Sequence, residues 1–308
     1  MGAYSWIDPA PGDVHLMGSP GAVHSDPPVA VVLPTYNGAA YVRAQLDALL
    51  GQRCDTEWHL IVVDAGSSDS TVDVISSTPL GTVASRVIRL AGAPGVNAGL
   101  NAGIAATTSP LILIAEQDDV VGVGWMQAIV EALRSQWLVG SVMELAQLNP
   151  DHVVGSRRGF PEDVGFKVPR ANATGMGLRR ELWDLLHGFD ESYRYGGNDL
   201  EFCFRAHQAN HAMHVSGAVV HYRVRTDVAA AFAQGRAYGV STVRLFREFG
   251  PAYVERRRLR RVVKEVARLA WWSLKSIRDR SYRMRLAYRG GLQLGYLEGS
   301  LRYRRWFP

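Results

Sequence analysis

Three apolar runs in the first 120 residues share one design, and that design leaves the chain few folds to choose from. VAVVLPTYN (Val29–Asn37), LIVVDAGSSDST (Leu60–Thr71) and PLILIAEQDD (Pro110–Asp119) each hold four or five consecutive apolar residues and then break into polar or acidic ones. A strand that is apolar at both odd and even positions is buried on both faces, as in a parallel sheet between layers of helix. Helical stretches lie between the runs. In AAYVRAQLDALLGQ, residues Tyr41, Val42, Leu46, Leu49 and Leu50 recur at helical spacing before Gly51 stops them. Thr71–Ser76 opens a second helix with Asp69 or Ser70 as its cap, SRVIRLAG reads as a third strand, and GWMQAIVEALRSQ as another helix.

Composition narrows the class further. The chain has 308 residues, 47% of them hydrophobic, enough for a large core. Cys54 and Cys203 are its two cysteines, which implies neither a disulfide framework nor a structural zinc site and suits a reducing compartment. The sequence has no apolar stretch long enough to span a bilayer. A cytoplasmic location is therefore expected, peripheral at the inner face of the membrane if the tail engages lipid. The net charge of +5 hides a division: residues 251–308 hold 14 Arg and 2 Lys against four acids, a net +12, which leaves −7 for residues 1–250.

Open parallel sheets bind ligands at the carboxyl ends of their strands. Pro34, Thr35, Tyr36 and Asn37 end the first strand, Asp64 the second, and Glu116, Asp118 and Asp119 the fourth. Carboxylates crowded together repel unless a cation compensates them, and oxygen ligands suit Mg2+ or Mn2+. Taken alone, Asp118 and Asp119 read better as caps of the turn or helix that follows; Asp64 at a neighbouring strand end tips the reading to a site.

VAVVLPTYNGAAYVRAQLDALLGQ, LIVVDAGSSDST, NAGLNAGIAATTSPLILIAEQDD and GFDESYRYGGNDLEFCFRAHQANHAMH, in that order, resemble a family 2 glycosyltransferase of the GT-A fold, over roughly Val29 to His221. The resemblance implies a nucleotide-diphospho-sugar transferase fold, a mostly parallel mixed sheet flanked by helices, and the arginine-rich residues that follow add a basic helical extension at the C-terminus. It divides the chain into an irregular segment (1–28), a catalytic domain (29–225, with a nucleotide-sugar half 29–120 and an acceptor half 121–225) and the basic helical region (226–308). It implies donor contacts from Pro34, Thr35, Tyr36, Asn37, Asp64, Asn101, Glu116, Gln117 and Asp118. Thr35 and Tyr36 would line the base pocket, and Asp64 would meet the base or ribose. Glu116-Gln117-Asp118 stands at the Asp-x-Asp position, with Asp118 the ligand of Mn2+ or Mg2+ and Glu116 facing the ribose or the metal's water shell. Asp199 then becomes the general base toward the acceptor hydroxyl, Glu201 its runner-up, and His221 a second metal ligand. Arg223 and Arg225 either reach the diphosphate or stay solvated. The chain departs from the family pattern at Ala65, Glu116 and Asn198.

The tail reads as a basic amphipathic helix. Leu259, Val262, Val263, Val266, Leu269, Ala270 and Ile277 follow helical spacing, cations occupy mostly other faces, and Trp271 and Trp272 sit among them. Two readings stand level: an anionic bilayer surface, or packing on the acidic body. Nucleic acid is the weakest partner, since no base-reading motif accompanies the arginines; the oligomeric state is open. The expected function is metal-dependent, inverting transfer of a sugar, hexosyltransferase-like, from a nucleotide-diphosphate donor to a lipid-linked or cell-envelope glycan hydroxyl. The alternative is a non-catalytic nucleotide-sugar-binding or scaffold protein that keeps the GT-A fold.

Overall fold

The computed structural model describes residues 26–79, 84–91, 95–151, 154, 165–168, 175–194, 196–255 and 259–307. Most of the irregular leading segment expected at 1–28 lies outside them, as do Arg256 and Arg257 of the basic tail. The chain forms two compact units, one of Met1–Val142, Ala171–Arg194 and Met213–Val220, the other of Met143–Arg170, Tyr195–Ala212 and His221–Pro308.

The first unit is built on a mixed sheet. Strand β1 (Val29–Thr35) is followed by helix α1 (Val42–Leu50), β2 (Trp58–Asp64), α2 (Thr71–Ser77), β3 (Ala84–Arg89), α3 (Val96–Ala105), β4 (Leu111–Ile114), β5 (Val120–Val121), α4 (Trp125–Leu133), β6 (Leu138–Glu144), β7 (Gly177–Arg179) and α5 (Arg180–Leu185). Helix α6 (Asn198–Gln208) precedes the last strand, β8 (His214–His221). Across the sheet the order is β3-β2-β1-β4-β7-β6-β8-β5. The pairs β3/β2, β2/β1 and β1/β4 are parallel, while β7 runs antiparallel to β4 and β6.

The three motif-bearing runs fold as expected because each has neighbours on both edges or both faces. Every residue of β1 is buried, and α1 turns Val42, Leu46 and Leu49 onto the same core as Leu60, Val62 and Trp125. Small residues let α3 lie close to the sheet: a Cβ at Gly103 would stand 2.5 Å from Val32 Cγ1 and 3.0 Å from Val63 Cγ2. Two strands had no clear signature. β5 has two residues, and β6 is buried only over Leu138–Gly140, its outer half mixing polar and apolar residues without a clear pattern.

Helical packing dominates the second unit. After α6 come α7 (Val228–Phe249), α8 (Leu259–Lys275) and α9 (Arg280–Arg302). Helices α7 and α9 run in the same direction in main-chain contact. A Cβ at Gly235 would overlap Tyr288 O, one at Gly291 would overlap Phe232 O, and one at Gly299 would come 2.9 Å from Val243 Cβ. At the far end of α7, Phe204, Phe249 and Tyr253 form an aromatic cluster with centroids 5.1 to 5.7 Å apart, Phe204 edge-on to Phe249 and both tilted against Tyr253.

The expected tail helix is present as α8, but its apolar residues do not share one face. Glu265 and Trp272 are buried with Val262 and Leu269 partly so, whereas Val263 and Val266 point outward and are exposed.

Candidate active site

Register alone brings the first strand ends together. Thr35 pairs with Asp64 across β1 and β2, and the Ala115 N–H just beyond β4 donates to Val32 O at 3.1 Å. The acidic cluster therefore leaves the sheet beside the ends of β1 and β2. Carboxylate oxygens of Glu116, Asp118 and Asp119 lie within 4.8 Å of one another, with Asp119 buried and the other two partly exposed. Three hard oxygen donors at that spacing fit Mg2+ or Mn2+ better than a thiolate- or imidazole-seeking ion.

Side-chain amides hold this acidic loop. Gln45, fully buried on α1, donates from Nε2 to Glu116 O (2.9 Å) and accepts at Oε1 from Val121 N–H (3.0 Å). One heptad later, Gln52 donates to Gly122 O (3.0 Å) and accepts from Met126 N–H (3.2 Å). Gln117 pairs with the main chain of Tyr36 in both directions, each at 2.9 Å, as a neighbouring strand would. Gly38 makes that approach feasible, since a Cβ there would stand 2.5 Å from Gln117 Cδ. The sequence reading included Gln117 but missed Gln45 and Gln52. Gln45 left a signal, a glutamine among the aliphatic residues of the buried α1 face, where a polar group survives burial only with partners; Gln52 lies past the helix end at Gly51 and left none.

The loops after β1 and β2 are stitched together in the same way. Asn37, at φ +46°, donates its N–H to Ser67 Oγ (2.9 Å) and accepts from Ser68 N–H (2.9 Å); Gly38 N–H donates to Thr71 Oγ1 (2.7 Å). Asp64 is buried, accepts from Ser67 Oγ at 2.5 Å and lies 3.5 Å from Arg89 Nε. Asp69 caps the start of α2: the Thr71 hydroxyl, then its N–H and that of Ala39, hold its carboxyl below the ordinary range. Tyr36 stands nearly half exposed at the rim.

Asn101 has a different task from the one expected. Its amide donates to Phe189 O (2.9 Å) and Glu191 Oε1 (3.0 Å) and accepts from Phe189 N–H (2.9 Å) and Trp183 Nε1–H (3.2 Å). Three of these bonds go to the Gly188–Glu191 turn and the fourth to Trp183 on α5, which leaves no hydrogen-bonding position for a donor sugar.

The remaining candidates belong to the second unit. Asp199 stands in the first turn of α6, after Gly196 and Gly197, both in the left-handed region (φ +71° and +76°), and its Oδ1 accepts from Leu200 N–H at 2.9 Å. Glu201 is buried on the same helix, and its two carboxylate oxygens are bound by Arg205 Nε and, at 2.8 Å, by an Arg205 terminal nitrogen. That clamp commits both Glu201 oxygens to a guanidinium on the same helix. His221 Nδ1 lies 2.8 Å from Glu144 Oε2, and this contact, with the Ala146 and Gln147 N–H groups, holds the Glu144 carboxyl below its ordinary range against the opposing pull of burial. A carboxylate on one ring nitrogen orients the other, as in many metal-ligating histidines. Arg223 is half-buried and Arg225 exposed.

A parallel half-sheet with acids and amide-braced loops at its strand ends, continued by antiparallel strands, defines a GT-A fold. The mannosyltransferase of Pyrobaculum calidifontis, solved in complex with GDP-Man and Mn2+, superposes with a TM-score of 0.63 at 17% identity, covering 91% of this chain and 90% of that one. The chain belongs to glycosyl transferase family 2, whose model matches residues 30–205. It is 30% identical over 119 residues to an uncharacterized glycosyltransferase of Nostoc sp. (38% of this chain, 36% of that one). It is 26% identical over 233 residues to the validoxylamine A glucosyltransferase of Streptomyces hygroscopicus subsp. jinggangensis (64% of this chain, 55% of that one). The chain thus spans between about a third and about half the length of these relatives.

Proposed function

We propose that this chain transfers a sugar from a nucleotide-diphosphate donor to a hydroxyl of a lipid-linked or cell-envelope glycan, with inversion at the anomeric carbon and with a divalent cation at the acidic loop. The observation that carries the reading is the carboxylate triad Glu116, Asp118 and Asp119 beside the ends of β1 and β2. The mannosyltransferase that shares the fold was solved with a nucleotide sugar and Mn2+, and we extend that pairing to this chain. Glucosyl transfer in the name of the Streptomyces relative supports the reaction class.

Asp118, flanked by Glu116 and Asp119, would hold the cation; the bound ion would supply positive charge to a departing diphosphate. Thr35, Tyr36, Asn37 and Asp64 bind the nucleoside, and Gln117 keeps the Tyr36 loop at a fixed distance from the acids. Arg223 and Arg225 are diphosphate contacts in this reading. Asn101 is left out, its amide being committed elsewhere. Asp199 takes the proton from the acceptor hydroxyl as that oxygen attacks, and one carboxylate is enough for a single displacement.

Calorimetric titration of nucleotide sugars with and without Mn2+ tests the proposal. Asp118→Ala is expected to abolish Mn2+-dependent donor binding, and Asp199→Asn to leave binding intact and stop transfer. An Asp118→Ala protein that binds donor with unchanged Mn2+ dependence would overturn it in favour of a non-catalytic binding protein.

A further inference from the structure

Among the described residues, helix α8 buries one face and leaves a second apolar face uncovered. Inward are Glu265 and Trp272, at 6% and 9% exposure, with Glu265 bridged to Arg268 (3.1 Å) and Arg289 (3.7 Å). Outward, at spacings of three and four, run Val263 (60% exposed), Val266 (59%), Ala270 and Leu274 (71%), and Ile277 (72%) follows in the next turn. Trp271 is half exposed at the edge of this stripe, with Lys275 Nζ 5.5 Å from its ring centre. A 17-residue helix is about 25 Å long, and an uncovered apolar stripe of that length is more than the isolated apolar residues of an ordinary surface. Arg260, Lys264 and Lys275, all exposed, flank the stripe on one side. At 100° per residue they fall between it and the buried face.

We infer that this face of α8 docks on an anionic bilayer surface. The apolar side chains enter the headgroup boundary, Trp271 sits at the interface, and the lysines and Arg260 reach the phosphates along the helix flank. Charge complementarity commits the face to this occupant: apolar contact alone would serve a protein partner equally, but a cationic margin along one side of aliphatic residues and a tryptophan matches lipid phosphates over hydrocarbon. The inference deepens the proposed action on a lipid-linked or cell-envelope acceptor and rests on that reading for its purpose, while its test does not involve transfer.

The test is sedimentation of the full chain with vesicles of phosphatidylcholine and of phosphatidylcholine with phosphatidylglycerol at 3:1, at low and high salt. Binding is expected on the anionic vesicles and should weaken with salt. Combining Val266→Ser, Leu274→Ser and Ile277→Ser, all at exposed positions, should lower partitioning by about 100-fold. Lys264→Glu with Lys275→Glu should lower it at least about 25-fold on anionic vesicles alone. Wild-type protein that stays in the supernatant with every vesicle, or a triple-serine variant that sediments like wild type, would overturn the inference. So would a wild-type dimer, blind to vesicles, that the triple-serine variant converts to monomer, since a second copy would then be the occupant. Thermal shift with nucleotide sugars on the same samples separates the two readings. If vesicle binding follows the pattern above but no donor shifts the wild type, the catalytic reading fails and the membrane face stands.

Discussion

Two adjacent glycines on α9 should respond to the same substitution with opposite signs. Glycine in a helix interior costs about 1 kcal/mol relative to alanine, so Gly→Ala gains that amount where there is room. At Gly290 there is room: a new Cβ would meet Phe232 Cε2 at 4.0 Å, ordinary contact. At Gly291 it would sit 3.0 Å from Arg236 N and overlap Phe232 O, both main-chain atoms of α7. Carbon prefers about 3.5–4.0 Å, so the helices must part by about 1 Å along the seam that also holds Gly235, Gly239 and Gly295. Overpacking costs typically about 1–3 kcal/mol, and main chain, unlike a side chain, cannot swing aside, which puts this site at the upper end. Net of the propensity gain, Gly291→Ala should lose about 2 kcal/mol and Gly290→Ala gain up to about 1. In thermal unfolding followed by far-UV circular dichroism, that is a fall of about 4–8 °C for Gly291→Ala and a rise of about 1–4 °C for its neighbour. A Gly291→Ala protein as stable as wild type would refute the main-chain seam.

Gln45→Leu strips Glu116 O and Val121 N–H of their partner and should lower stability by about 2–4 kcal/mol in urea titration. It should also weaken Mn2+-dependent nucleotide binding; a destabilised variant with wild-type binding would show that the amide does not set the loop. Asp26 tests the other end of the sheet. Burial pushes its carboxyl up, but the N–H of Thr108 and the guanidinium of Arg86 outweigh that and hold it at about 2, below its usual 3.8. The folded carboxyl is thus the stronger acid, so its contribution is complete above about pH 4 and disappears as pH falls toward 2. Asp26→Asn should flatten the pH dependence of the urea midpoint across that window; equal slopes in the two proteins would count against the clamp.

The parts of the fold that were legible share one property: their signal is local. Val29–Leu33 and Leu60–Val63 are apolar at every position because the sheet buries both their faces, and Leu46 and Leu49 repeat because α1 buries one. β6 was not legible, since its outer half is partly exposed and breaks the pattern. The same limit applies at the site. Acids at strand ends can be read from position, but nothing along the chain says that Asn101 closes on the Gly188–Glu191 turn, or that Glu201 is held by the residue four places on. Likewise the tail's periodicity was visible, but its division into a buried and an outward apolar face depends on what lies beside α8.

The clasp between Gln117 and Tyr36, with the Gln45 and Gln52 braces behind it, is made of neutral amides. Amides keep their hydrogen-bonding pattern at any pH the protein survives and bring no charge of their own beside the three acids. Shape and charge at this rim are thereby assigned to different side chains. Exchanging Asp and Glu among the acids retunes the electrostatics while the scaffold that spaces the loops stays untouched.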